Sequence, residues 1–308
     1  MKDLKDHITR GMTHQQYCEL PGVNSHAISF AAGKTMRHMQ AYLKGEIPDK
    51  DSHDKRFGRA LHAAILEPEA YRKIPTAGPC SEIIKDGKNK GKHCGCQATY
   101  FIADQWRCGK HCKDVEPIKD YVTDEETARI ERIISEIKQA GQLAQFRRPG
   151  WSEVVIEFEL MGIKCKARLD RLPADGSAII DIKKVQVGKA GKDDFEKSCE
   201  SYGYHIQAAF YCLAVHAITG QFPIFTWLIV EDGPPYAVNL LDASDFVLRA
   251  GRHEIEETLR RWKRATETGK FTGYIGPRTP EGGLPPYAVN RYRNLELGPP
   301  MLGERESI

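Results

Sequence analysis

The chain predicts a mixed α/β fold, with a central mixed sheet flanked by helices and one small module inserted into it. Three observations carry this. Residues 151–183 alternate apolar and polar side chains around two tight turns, the pattern of consecutive strands. Stretches near 57–67, 120–147, 202–218 and 242–269 have helical character, with apolar residues recurring at turn spacing or in long runs. The window 79–113 is polar, rich in Lys and Gly, and holds five of the nine cysteines.

Taken in order, Phe57 to Leu66 reads as a helix with one His, His62, among small and apolar residues. It stops near Pro68, since proline lacks the amide a helix needs. Residues 120–147 read as a charged amphipathic helix with Ile130, Ile133, Ile134 and Ile137 on one side. Thr123-Asp124-Glu125-Glu126 is a capping start for it. Glu153–Leu160 and Ile163–Leu169 read as strands joined by Met161-Gly162, and Pro173-Ala174-Asp175-Gly176 turns into a third strand, Ala178–Ile182. The apolar helix from Tyr202 to about Ile218 carries Gln207 and Tyr211, which are four apart and share a face.

Phe222–Val230 reads as a buried strand, and Tyr236–Leu241 as another after the turn Gly233-Pro234-Pro235. The long helix over 242–269 is rich in Arg and Glu, a solvated face. Beyond Thr272, Pro and Gly dominate and predict a loosely ordered tail. There Pro285-Pro286-Tyr287-Ala288-Val289-Asn290 repeats Pro234 to Asn239, either by coincidence or as an edge strand able to pair with a neighbouring subunit. The expected organisation is a core from 1–78 and 114–271, an insertion at 79–113 and a tail at 272–308.

Chemistry concentrates in the strands. Alternation sends Asp181 and Lys183 to one side with Ile182 behind them. Asp170 and Asp181 are hard oxygen donors suited to Mg²⁺ or Mn²⁺. A lysine beside them can orient an attacking water and neutralise charge developing on a phosphate. Singly, each motif has an ordinary reading: a solvated Asp-x-Lys hairpin, a boundary Gln and Tyr, a core His. Their joint occurrence points to metal-assisted phosphodiester cleavage.

In chain order, Gly58-x3-His62, Glu153, Asp170, Asp181-x-Lys183 and Gln207-x3-Tyr211 resemble PD-(D/E)xK nucleases of the exonuclease VIII (RecE) type, close to the RecB-like branch. The phrases from Tyr17 to Ser25 and from Leu61 to Pro68 are also similar to that family, and the likeness spans about residues 10–272. The resemblance implies a restriction-endonuclease-like core. Asp170, Asp181 and the Ile182 backbone carbonyl would be metal ligands, and Lys183 the catalytic lysine. Glu153 would assist a second metal or the attacking water, and His62 would lie near the metals. Gln207 and Tyr211 would position the DNA strand. It further implies 5′-to-3′ degradation of duplex DNA ends to leave 3′ single-stranded tails for recombination. The expected assembly is a homo-oligomeric ring, trimer or tetramer, with a single-strand annealing protein as partner. Two departures stand out: Leu169 occupies the place of the motif's proline, and Lys184 follows the catalytic lysine where a small hydroxyl residue is commoner.

The insertion is the largest departure. A segment so poor in apolar residues needs a staple to fold. Cys80, Cys94, Cys108 and His111 supply one tetrahedral Zn²⁺ set, with Cys96 and Cys112 as competitors for two places. Cys108-Gly109-Lys110-His111 is similar to the closing half of Cys3His zinc knuckles. Free thiols and an iron–sulfur cluster are the alternatives. The cysteines of iron–sulfur relatives flank the nuclease core, whereas no cysteine follows Cys212 here. Disulfides fit poorly with nine cysteines, an odd number. Lys85, Lys88, Lys90 and Lys92 form either a solvated face or a contact to DNA phosphates.

Composition sets the remaining bounds. At 308 residues the chain can bury one sizeable core and a small accessory module, and its net charge is only +3. No global basic field marks a nucleic-acid partner, so any basic surface is local. The sequence has no apolar run of about 18 residues, the length of a membrane span, and lacks a signal-peptide pattern. A bacterial or phage-infected host cytoplasm is the expected setting. The competing functions are an endonuclease or a single-strand or branched-DNA nuclease on the same site, and a non-catalytic zinc-containing DNA-binding protein.

Overall fold

A two-residue turn organises the sheet. β3 (Gly150–Leu160) runs antiparallel to β4 (Ile163–Pro173), and the turn residues Met161 and Gly162 have φ of 57° and 77°. That left-handed pair matches the right-handed twist of the strands it joins. β5 (Ala178–Val185) then pairs antiparallel with β4, β6 (Ile224–Glu231) parallel with β5, and β7 (Val238–Asp242) antiparallel with β6. The result is a mixed five-stranded sheet in the order β3-β4-β5-β6-β7. The computed structural model describes residues 4–48, 52–96, 98–102, 105–112, 117–140 and 148–274. The Pro285 repeat and residues 141–147 therefore lie outside the described residues.

Strand alternation divides the core in two. Ile179, Val185, Phe225, Trp227 and Ile229 face one hydrophobic cluster, whereas Ile180, Ile182, Leu228 and Val230 face another. The first is covered by α2 (Ser25–Ala32), α3 (Met36–Leu43), α8 (Tyr204–Thr219) and α9 (Asp245–Thr268). The second is covered by α4 (His53–Leu66) and α6 (Asp124–Gln139). The parallel β5–β6 pair is connected through α7 (Lys192–Ser201) and α8. α8 is apolar on nearly all sides because it is wedged between the sheet and α9. α9 approaches so closely that a Cβ on Gly251 would fall 2.2 Å from the His205 carbonyl oxygen.

Several boundaries differ from expectation for local reasons. The helix expected over 120–147 begins at Asp124, because Thr123 caps it in a box with Glu126, and its described part ends at Gln139. β4 runs past Leu169, so Asp170 lies within the ladder. The expected strand from Phe222 starts at Ile224, and the one from Tyr236 starts at Val238. Pro68 ends α4 but opens a further turn, α5 (Pro68–Tyr71), at whose first position its missing amide costs nothing. The first residues of the expected loose tail are docked: the Arg37 amide donates to the Thr272 carbonyl, and Tyr274 packs beside His38.

Two buried cations hold the elements that frame the site. Arg56 of α4 forms a two-pronged bond with Glu126 of α6, at 2.6 and 2.9 Å, and also donates to the Tyr121 carbonyl. Arg56 and Glu126 are both almost fully buried, so Glu126→Ala strands a guanidinium in the core. Urea unfolding of that variant is expected to show a loss of about 3–5 kcal/mol. Lys166 of β4 donates to the carbonyls of Tyr17, Cys18 and Leu20, closing the C-terminal end of α1 (His14–Glu19) onto the sheet. The insertion carries a two-stranded sheet, β1 (Tyr100–Ile102) with β2 (Gln105–Arg107), and a small cluster of Cys80, Ala98 and Cys108 against Cys94 and Trp106. Among the described residues, no helix is long and apolar enough to cross a membrane.

Candidate active site

The site forms where β5 diverges from β4. Within β3, Glu153 is directly opposite Asp170, since the register pairs Ser152 with Arg171 and Val154 with Leu169. Glu153 has φ of 52°, in the left-handed region, inside an otherwise regular strand. A non-glycine residue held there costs about 1–3 kcal/mol, and such strain gathers at functional positions. It turns one carboxylate toward another. Glu153, Asp170 and His62 each offer a ligand atom within 4.8 Å of the others, and His62 Nδ1 is 3.5 Å from Asp170 Oδ2.

Asp181 and Lys183 face the other side of β5, toward α8, because Ile180 and Ile182 take the α4 face. Asp170 lies on the α4 face, because its strand neighbour Leu169 belongs to the α8 cluster. The sequence-predicted pair Asp170 and Asp181 thus approach the split from opposite sides. Asp181 is paired with Lys183, whose Nζ is 2.6 Å from its Oδ2. The two halves meet at Ile182, whose backbone amide donates to Asp170 Oδ2 at 2.8 Å.

The helix motif acts through the lysine. Lys183 Nζ donates to Gln207 Oε1 at 2.8 Å, and Gln207 Nε2 donates to the Tyr211 hydroxyl at 3.1 Å. Gln207 is half-buried, but Tyr211 is inside the core, with its ring toward Phe225. Tyr211 therefore orients Gln207 and offers no surface to a strand. Three neighbours escaped the sequence reading. Arg168 Nε is 2.7 Å from Glu153 Oε2, and the Arg168 guanidinium also meets His14 Nδ1 at 3.1 Å. The signal for Arg168 was its place two residues before Asp170 on one strand face. Tyr204, three residues before Gln207 on the same helix face, lies under the Lys183 ammonium at 4.6 Å.

The electrostatics suit a cation. Burial, then the Asp170 carboxylate opposite, push the Glu153 carboxyl up to about 8 despite Arg168. Burial lifts Asp181 to about 7 against the pull of Lys183. Burial disfavours the Lys183 ammonium, but Asp181 and Asp170 outweigh it and hold the lysine protonated. Burial lowers His62 in spite of Asp170, leaving a neutral imidazole free to ligate. Crowded carboxylates with an imidazole at a strained position fit a hard divalent cation.

In the insertion, Cys80, Cys94, Cys108 and His111 bring their ligand atoms within 4.8 Å of one another. Cys94 Sγ is 3.8 Å from Cys108 Sγ, and His111 Nδ1 is 3.3 Å from Cys80 Sγ and 3.5 Å from Cys108 Sγ. Zinc–sulfur bonds of about 2.3 Å place tetrahedral sulfurs about 3.8 Å apart, so the donor set fits that ion. Burial alone would raise the Cys80 thiol, but hydrogen bonds from the Cys108 and Glu82 backbone bring it down to about 7, and burial raises Cys108. Cys96 is exposed, and Cys112, though buried, is not one of the four.

A mixed sheet that collects carboxylates and a lysine where its third and second strands separate is that of the PD-(D/E)xK nuclease superfamily. Over residues 25–276 the sequence matches the model of the PDDEXK-like domain of unknown function (DUF3799), and the chain belongs to that family. Among solved structures it is similar to the "Putative exonuclease" from Eubacterium rectale, with a TM-score of 0.57 and 16% identity over 93% of this chain and 100% of that one. At that identity the likeness is one of fold. The phage related exonuclease from Haemophilus somnus 129PT is matched at a TM-score of 0.27 and 9% identity, over 45% of this chain and 72% of that one. No curated protein matches the chain.

Proposed function

We propose that this PD-(D/E)xK protein is a Mg²⁺- or Mn²⁺-dependent deoxyribonuclease that degrades linear duplex DNA from 5′ ends and leaves 3′ single-stranded tails. The observation that carries the hydrolytic part is the strained Glu153 facing Asp170 and His62, one residue pair from the buried Asp181–Lys183 ion pair. A fold alone has no use for carboxylates aimed at one another at a cost in strain and repulsion. The end-specific polarity rests on the resemblance of the motifs from His62 to Tyr211 to nucleases of the exonuclease VIII type.

Glu153, Asp170 and His62 are the grouped ligands, with Asp181 and the Ile182 carbonyl the further pair that the motif supplies. Bound Mg²⁺ would lower the pKa of a coordinated water and offset charge on the phosphate. Lys183, kept protonated by its carboxylates, is placed to orient that water and to receive phosphate charge. Gln207 and Tyr211 hold the lysine on its axis, and Arg168 is placed to exchange Glu153 for a phosphate oxygen. Zn²⁺ on Cys80, Cys94, Cys108 and His111 staples the module at 79–113, apart from the nuclease core of 1–78 and 114–271. A ring of three or four subunits around duplex DNA and a single-strand annealing partner complete the reading.

Linear duplex labelled on one strand, incubated with Mg²⁺, is expected to lose nucleotides from its 5′ ends. Covalently closed circles should stay intact, and Asp181→Ala protein should be inactive while still binding DNA. Cut circles would indicate an endonuclease using the same residues. No cleavage of any substrate would leave a zinc-containing DNA-binding protein.

A further inference from the structure

Beyond Lys183, a column of aromatic rings runs outward that hydrolysis itself does not use. Tyr204, under the lysine, rests on Phe195 with centroids 5.9 Å apart, and Phe195 rests on Trp227 at 5.4 Å, so the column is rooted in the core. On its outer side Tyr204 faces Tyr202, with centroids 5.5 Å apart and planes inclined by 31°. Tyr202 is the unusual member, being 69% exposed. Its backbone is nonetheless held firmly: it caps α7, and Gly203, at φ of 69°, begins α8 immediately after it. A rigid mount with an exposed ring is what a stacking surface needs, because little conformational freedom is lost when the ring is covered.

Tyr202 also forms a wall of a cavity of about 710 Å³, within the range of about 300–1,000 Å³ usual for ligand sites. The cavity is also lined by Phe30 and Tyr42, stacked with centroids 5.4 Å apart, and by Lys34, whose Nζ is 4.3 Å from the Phe30 ring centre. Glu200 and Glu254 line it too, so attraction of phosphates alone does not account for the cavity. Aromatic faces do suit bases, since every base has a π-face to stack on whatever its identity.

We propose that Tyr202 is a stacking platform for a base of the DNA strand whose phosphate is held between Asp170 and Lys183, with the adjoining cavity receiving that strand's unpaired nucleotides. The assignment rests on the nuclease reading of that site. Attack on a phosphate at the end of a duplex requires the terminal bases to part. A ring separated from the catalytic lysine by Tyr204 alone would hold the freed base in place of its lost stacking neighbour.

The test uses the full-length protein with Ca²⁺ replacing Mg²⁺, so that DNA is bound without being cut. The probe is a duplex with a short single-stranded 5′ overhang carrying 2-aminopurine, whose fluorescence falls on stacking. Wild type and Tyr202→Phe are expected to quench it alike. Tyr202→Ala and Tyr202→Leu should lose the quench and bind about tenfold more weakly. In Mg²⁺, Tyr202→Ala should show KM raised about tenfold with kcat retained. Quenching and affinity in Tyr202→Ala equal to wild type would overturn the assignment, as would no quench with wild type. Cleavage without a Tyr202-dependent quench sinks the platform alone. A Tyr202-dependent quench without cleavage sinks the nuclease reading and leaves Tyr202 as a base contact of a DNA-binding protein.

Discussion

Asp170→Asn is expected to lower DNA cleavage by about 10³-fold, the scale of losing one preorganised electrostatic group at a reacting phosphate. The substitution keeps the acceptor for the Ile182 amide, so the fork between β4 and β5 stays in place. It removes the carboxylate that helps raise Glu153. Two readouts should therefore move in opposite directions. Activity falls, while the metal-free protein becomes less sensitive to high pH.

The sign follows from linkage. In the metal-free native state Glu153 keeps its proton up to about 8, whereas an unfolded chain releases it near 4.5. Across that window the native state binds more protons, so stability is fullest below about 4.5 and declines as pH rises toward 8. Thermal melts in chelator at several pH values should show this decline, weakened in Asp170→Asn, and Mg²⁺ should restore the melting temperature at the alkaline end. A decline of equal size in the variant would show that Asp170 does not set the Glu153 proton affinity.

Removing zinc should have the second large effect. Structural zinc sites in small domains hold about 10–16 kcal/mol of apparent binding free energy at neutral pH. Among the described residues, the segment's own apolar cluster has only Cys80, Ala98 and Cys108 fully inside, two of them proposed ligands. Cys108→Ser is therefore expected to lose the metal and open the 79–113 segment to proteolysis, with the sheet core still folded. Cys96→Ser and Cys112→Ser should keep one zinc per chain. Metal analysis and limited proteolysis check both. Iron in place of zinc, or metal retained in Cys108→Ser, would sink the assignment.

Much of this was readable in one dimension. Alternation across 151–183 located the three strands, and the ligand spacing from Cys80 to His111 picked the same four residues that the fold gathers. Both signals are local: side chains two apart on a strand share a face, and a cysteine knuckle is built by its own loop. The Gln207–Tyr211 pair was legible as a helix face, but its burial was not. What lies against that face is Lys183 of β5 and Phe225 of β6, and the docking of the helix on the sheet brings them there.

The sequence by itself singled out the candidate residues, because their types and order survive any packing: His62, Glu153, Asp170, Asp181, Lys183, Gln207. Only the tertiary structure decided how they divide. Asp170 groups with Glu153 and His62, while Asp181 groups with Lys183, on opposite sides of the split between β4 and β5. The register of β3 against β4 sets Glu153 opposite Asp170, and the clamp between Arg56 and Glu126 sets where α4 delivers His62. The physical reason is that ladder register and helix docking are long-range terms. They are fixed by the summed burial of two apolar layers, and no short window of sequence contains that sum.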